Sequence, residues 1–144
     1  MRAEFQVILV GFIRNEDKFL ILQRSDSKIW QFVSGGGEDN ETPKEAAIRE
    51  FYEEAGIKVE NVTQLDAMNT IPSYIYKEHR DKKELFVVPE YAFAVELKDE
   101  NIYLSEEHDK FEFLTYEACF EKLKYDSNRT AMYETRERLR RNVL

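Results

Sequence analysis

The chain has 144 residues, which sets an expectation of one domain over residues 1–144 with a sizeable buried core. Its 42% hydrophobic, 13% aromatic and 35% charged residues, with five Gly and three Pro, exclude collagenous, low-complexity and disordered chains. With 21 basic against 29 acidic residues the net charge is −8, a field that repels nucleic acid polymers and anionic membranes, so neither is expected as a partner.

The first apolar run, residues 5–12, is interrupted by Gln6 and Gly11, is too short to cross a bilayer and reads as a buried strand. Alternation predicts a first hairpin from residues 5–13 and 19–24 around the polar turn 15–18, and a short strand at 30–33. Further strands are predicted at 62–69, 71–76 and 84–97, with Pro89 marking an edge or a bulge and the polar run 77–84 capping a hairpin that leaves His79 solvated. After a weak strand at 111–114 the pattern turns helical. Thr115 and Ser127 are candidate N-caps there, and Glu134/Arg138 and Glu137/Arg141 are spaced as i,i+4 pairs. The irregular alternation of strands and helices predicts an α+β fold, a mixed sheet covered by helices. A single cysteine, Cys119, forms no intramolecular disulfide and reads as a packing residue, which with the lack of a secretory pattern makes the cytoplasm the expected location.

One helix is specified at both ends. Thr42 and Glu45 form a capping box, Pro43 takes the first helical position, and Gly56 sits where a left-handed C-cap belongs, so the helix is predicted over residues 43–55. At about 100° per residue, Glu53 lies roughly −60° and Glu54 roughly +40° from Glu50, so three carboxylates fan over about a third of the circumference. Ala46 and Ala47 share that side, and Ile48, Phe51, Tyr52 and Ala55 are predicted to supply the core contact. Crowded carboxylates repel one another; a solvated acidic face and a hard divalent cation, Mg²⁺ or Mn²⁺, are the two readings. The preceding Ser34-Gly35-Gly36-Gly37 reads as a soft loop that brings backbone close to a ligand or metal, which favours the cation.

Residues 35–57 fit the pattern G-x5-E-x7-R-E-U-x-E-E-x-G-U, U being bulky and apolar, at Gly35, Glu41, Arg49, Glu50, Phe51, Glu53, Glu54, Gly56 and Ile57. On these residues the chain resembles the Nudix hydrolases, whose members cleave a nucleoside diphosphate linked to another group. The loop departs from many of them in carrying Ser34-Gly35 and Asn40-Glu41 where Gly-Gly and Gly-Glu are common; Asn tolerates a left-handed backbone at position 40. Outside the pattern, residues 22–26, Trp30-Gln31, 46–50, 90–93, Glu107-His108 and 127–129 follow in the order found in bacterial dihydroneopterin triphosphate pyrophosphatases, a branch of that family.

The resemblance implies a Nudix fold and metal ligands at Glu50, Glu53 and Glu54, with the Gly35 carbonyl and Glu107 completing the set around Mg²⁺ or Mn²⁺. Glu53 or Glu107 is implied as the base for the attacking water. Arg49 is expected to orient a helix carboxylate, Glu41 to share that network, and Glu38 to be an outer ligand or a loop carboxylate. For substrate, Arg24 is a candidate phosphate contact, Trp30 a candidate stacking surface, Gly36 a close backbone approach, and Asn128 a candidate pocket residue. The implied reaction converts a nucleoside or pterin triphosphate, a small phosphorylated molecule, to the monophosphate and pyrophosphate, in a monomer or homodimer. Other nucleoside diphosphate compounds, such as ADP-ribose or dinucleoside polyphosphates, and a catalytically silent binding module are the alternatives.

Overall fold

Alternation along the first strand builds the two layers. β1 (Arg2–Ile13) sends Val7, Leu9 and Ile13 to one face and Ile8, Val10 and Phe12 to the other, and both sets are buried in separate core clusters. A strand buried on both faces belongs in the middle of a covered sheet. In the computed structural model, which describes Met1 to Leu144, β1 pairs antiparallel with β2 (Lys18–Arg24) and with β4 (Val33–Glu38), and parallel with β6 (Val87–Glu96). β3 (Trp30–Gln31) and β7 (His108–Leu114) pair with β2, and β5 (Val62–Pro72) pairs with β6, giving a mixed sheet of seven strands. α1 (Pro43–Ala55) covers the Val7 face; α2 (Tyr116–Lys122) and α3 (Asp126–Arg140) cover the Ile8 face. The architecture is the α+β arrangement of a mixed sheet between helices that the sequence pattern predicts. No helix is long and apolar enough to cross a membrane.

Several elements match their signals. The Thr42–Glu45 capping box forms in both directions, and Gly56 closes α1 at φ 75° with its N–H donating to Tyr52 O. Asn40 adopts φ 71°, the conformation its side chain tolerates. Thr115 accepts from the Ala118 N–H at the start of α2, and both i,i+4 ion pairs of α3 form. Pro89 pairs only with Thr70 on β5, because β1 joins β6 one residue later at Glu90, so the missing N–H faces an unpaired edge. Cys119 is fully buried, and burial pushes its thiol up to about 12.

Others differ, each for a physical reason. The glycine run is strand rather than loop: Gly35 and Gly36 pair with Val7 and Gln6, and none of the three has a positive φ. What requires glycine is space. A Cβ would lie 2.0 Å from Glu50 Cδ at Gly35, 2.5 Å from the Arg2 guanidinium at Gly36 and 2.2 Å from the Phe5 ring at Gly37. The two strands predicted at 62–69 and 71–76 are one, β5, whose register shifts between Gln64 and Met68 and which gives way to a 3-10 turn at Ser73–Ile75. Helix α1 buries Ala46, Ala47, Glu50, Phe51, Glu54 and Ala55, while Tyr52 is 52% exposed. Phe51 and Ala55 enter the core and Ile48 packs against it as predicted, Tyr52 does not, and the buried arc extends round to Glu50 and Glu54: small alanines allow α1 to lie close to the sheet, and Phe51 anchors it with burial worth about 1.5–3 kcal/mol. Helix α3 starts at Asp126 with Tyr125 as an N-cap that makes no side-chain bond, so Ser127 lies in the first turn and is not the cap. His79 is buried beside Lys82 and Tyr76 instead of solvated.

Candidate active site

A cavity of about 670 Å³ opens beside β4 and α1 and runs along the α3 side of the sheet. Gly35, Gly36, Glu50, Glu53, Glu54, Arg24 and Glu107 line one half, and Gln6, Ile8, Asn69, Glu90, Ser127 and Asn128 line the other.

Arg49 organises the first half. Its guanidinium forks onto Glu41, with Nε to Oε2 at 2.7 Å and Nη2 to Oε1 at 3.0 Å, and donates to the Gly36 carbonyl at 2.8 Å. Its Nη1 reaches Glu50 at 2.9 Å and Glu53 at 3.2 Å, with Glu38 at 3.8 Å. One cation thus ties β4, Glu41 in the segment that leads into α1 and two α1 carboxylates together. Glu41 also accepts from the Glu38 N–H, and the Arg49 fork lowers its pKa against the effect of burial. Glu38 remains an exposed carboxylate and does not line the cavity.

Glu50 is strongly perturbed. Burial raises its pKa to about 7; Arg49 opposes that rise, and Glu53 and Glu54 add to it. Its carboxyl group occupies the space left by the missing side chain of Gly35. Glu54 accepts from Ser105 Oγ at 2.8 Å, and His108 Nδ1 lies 2.9 Å from the same oxygen, off the axis of the ring N–H. Burial pushes the Glu54 pKa up, but His108 and Ser105 outweigh it and leave the carboxyl below its ordinary value. Glu107 is exposed at the mouth, its backbone fixed by Ser25 and by Ser105 Oγ, and its charge acts on Arg24. Glu106 does not line the cavity. Arg24 faces the cavity but is forked onto Asp26 at 3.0 and 3.1 Å.

The donor set fits a hard cation. All the side-chain donors are carboxylate oxygens, they repel one another, and the cradle at Gly35 lets Glu50 approach the strand. No three of these carboxylates converge on one point, because Glu50 and Glu53 are turned onto Arg49 and Glu54 onto Ser105 and His108. A cation therefore has to draw Glu50 and Glu53 from Arg49, which retains Glu41 and the Gly36 carbonyl as partners.

Two sequence candidates stand apart from the rest. Trp30 lies outside the cavity: it pairs in β3, packs against the α2–α3 core and carries Lys122 Nζ 4.7 Å above its ring, so its face is covered. Asn128 lines the cavity but is 3% exposed, and its Oδ1 accepts from the buried Phe32 N–H at 2.9 Å. Gln6, Asn69, Glu90, Arg2, Tyr76 and Tyr125 also line the cavity and were not candidates. The available signals were a glutamine and a glutamate inside otherwise apolar strands.

Comparison with known proteins places these residues in a family context. The family model for the NUDIX domain matches residues 4–135. A Haemophilus influenzae protein named dihydroneopterin triphosphate diphosphatase is 33% identical over 140 residues, covering 94% of this chain and 89% of the relative. Among solved structures, a Listeria monocytogenes protein described as a NUDIX hydrolase superposes with a TM-score of 0.85 at 39% identity, covering 98% of this chain and 97% of that one. The Escherichia coli dihydroneopterin triphosphate pyrophosphohydrolase superposes with a TM-score of 0.76 at 26% identity, covering 91% and 93%.

Proposed function

The chain belongs to the NUDIX family of hydrolases acting on phosphoanhydride bonds, and we propose that it is a divalent-metal-dependent pyrophosphohydrolase converting a nucleoside or pterin triphosphate to the monophosphate and pyrophosphate. The observation that carries this reading is the gathering of Glu50, Glu53, Glu54 and Glu107 along one cavity of about 670 Å³ that Arg24 also lines. The similarity to dihydroneopterin triphosphate diphosphatases over most of the chain favours a pterin triphosphate.

Glu50, Glu53, Glu54 and Glu107, with the Gly35 carbonyl, are the groups that would hold Mg²⁺ or Mn²⁺. When bound, such an ion neutralises phosphate oxygens and makes the phosphorus more electrophilic. The remaining work falls to the chain. Arg24, and Arg2 whose guanidinium lies against Gly36, supply cations for the phosphates of a substrate that the net charge of −8 would otherwise repel. Glu53 or Glu107 takes a proton from water as its oxygen attacks phosphorus; the bridging P–O bond breaks and pyrophosphate carries the electron pair away. Arg49 acts as a positioning residue: through Glu41 and the Gly36 carbonyl, the partners it keeps, it ties β4 to the segment that leads into α1. Incubation with Mg²⁺ and dihydroneopterin triphosphate or deoxynucleoside triphosphates, resolving pyrophosphate from orthophosphate, tests the reading. Equal yields of monophosphate and pyrophosphate support it; orthophosphate as the only product, or no turnover of any triphosphate, rejects it.

A further inference from the structure

Where β1, β6 and β5 line the cavity, two buried polar atoms have no partner within the fold. Gln6 on β1 is in register with Glu90 on its parallel neighbour β6, and Glu90 with Asn69 on β5. In-register neighbours share a face, so the three side chains stand in one row on the sheet, beside Ser127 and Asn128 of α3. Gln6 and Glu90 are 5% and 8% exposed, yet Gln6 Nε2 and Glu90 Oε1 make no hydrogen bond. Unpaired buried polar atoms cost stability, and here both line the cavity, where a ligand can satisfy them.

We propose that Gln6 and Glu90 read the hydrogen-bonding edge of the substrate's ring, and that they select a 2-amino-4-oxopyrimidine, the edge common to pterins and guanine. The inference rests on the reading that the site takes a ring-bearing triphosphate. That edge offers a carbonyl oxygen, a ring N–H and an exocyclic amino group in sequence. The Gln6 amide donates to the carbonyl, and the Glu90 carboxylate accepts from the two adjacent donors. Adenine offers one amino donor beside a ring nitrogen lone pair, which sets a lone pair against a carboxylate oxygen with no proton between them. Tyr125 lines the same cavity and offers aromatic surface to a ring, whereas the Tyr76 ring is covered by the Arg2 guanidinium at 4.9 Å. Burial raises the Glu90 carboxyl, while Asn69 and Ser127 oppose the rise; ring N–H donors act in the same sense as those two side chains.

The test is the ratio of kcat/KM for dihydroneopterin triphosphate to that for dATP, in the wild type, Glu90→Gln and Gln6→Leu. Glu90→Gln is expected to lower that ratio about tenfold or more, chiefly through KM for the pterin, as loss of a two-point pair does. Gln6→Leu is expected to lower it in the same direction, and it carries the test if Glu90→Gln does not fold. Binding of neopterin in metal-free buffer, followed by its own fluorescence, provides a readout independent of turnover: the wild type is expected to bind and Glu90→Gln to bind about tenfold more weakly. An unchanged ratio in a folded Glu90→Gln variant, an equal loss on both substrates, or a wild type that does not bind neopterin overturns the proposal. Neopterin binding through Glu90 without hydrolysis of any triphosphate leaves the ring-edge assignment standing and removes the functional reading, whereas hydrolysis with an unaltered ratio does the reverse.

Discussion

Replacing Gly35 with alanine isolates the contact that seats Glu50. The added methyl would lie 2.0 Å from Glu50 Cδ and 2.2 and 2.4 Å from its oxygens, separations that real atoms do not adopt. Strand β4 is pinned by its register to β1, so the carboxylate has to move, and with it the 2.9 Å bond to Arg49. Overpacking of this kind costs about 1–3 kcal/mol. For a chain of 144 residues that corresponds to a Tm lowered by roughly 3–10 °C. Paired with Glu50→Ala, the same substitution meets open space. There the methyl is expected to be neutral or to stabilise by about 0.5 kcal/mol, because alanine loses less backbone freedom than glycine on entering a strand. Thermal or urea unfolding of the wild type, both single variants and the double variant gives the coupling energy, expected at about 1–3 kcal/mol. An equal cost for Gly35→Ala in both backgrounds would refute the claim that glycine is present there to admit the Glu50 carboxylate.

Three further outcomes follow from other parts of the molecule. Glu53→Gln and Glu54→Gln are each expected to lower kcat by about 10²–10⁴-fold, since they remove charge with little change in volume; retained activity in both, measured by pyrophosphate release, contradicts the ligand assignment. Asn128→Ala leaves the buried Phe32 N–H without an acceptor and is expected to cost about 1–3 kcal/mol in thermal unfolding, whereas Asn128→Asp, which keeps an oxygen there, is expected to recover part of it. Glu134 accepts from the Asp66 and Ala67 N–H groups, each at 2.7 Å, and from Arg138. Burial pushes its pKa up, but these bonds outweigh it and hold the carboxyl below its ordinary value. A depressed folded pKa gives stability that is present above the unfolded value, roughly pH 4.3, and is lost as pH falls through the folded one. The stability difference between wild type and Glu134→Gln is therefore expected at pH 7 and to shrink below about pH 4; a difference independent of pH contradicts the assignment.

The features legible in the sequence were those encoded locally. The capping box, the Gly56 cap, the first strand and the i,i+4 pairs of α3 depend on residues close in the chain, and all form as read. The misreadings concern what distant segments do to one another. Three adjacent glycines read as a loop because the sequence does not reveal that Glu50, Arg2 and Phe5 occupy the space where their side chains would be. The α1 pattern identifies Phe51, Ala55 and Ile48 as core contacts but leaves the carboxylates outside, since an isolated amphipathic helix exposes its charges; the fold also takes Glu50 and Glu54 inward, where Arg49, Ser105 and His108 meet them, and turns Tyr52 out. Trp30 was a reasonable stacking candidate by type, but Lys122 and the α2–α3 core cover it. Gln6 and Glu90 gain meaning only from a parallel pairing between strands more than eighty residues apart in sequence, which no local pattern specifies.

The central claim is that the α1 carboxylates and Glu107 form a cation site once Glu50 and Glu53 are drawn from Arg49. Electron paramagnetic resonance of free Mn²⁺ during titration with the protein, without substrate, measures this directly. Saturable binding by the wild type that weakens by about tenfold or more in both Glu53→Gln and Glu54→Gln is the result predicted here. Mn²⁺ binding that is absent, or equally strong in the wild type and both variants, would contradict it.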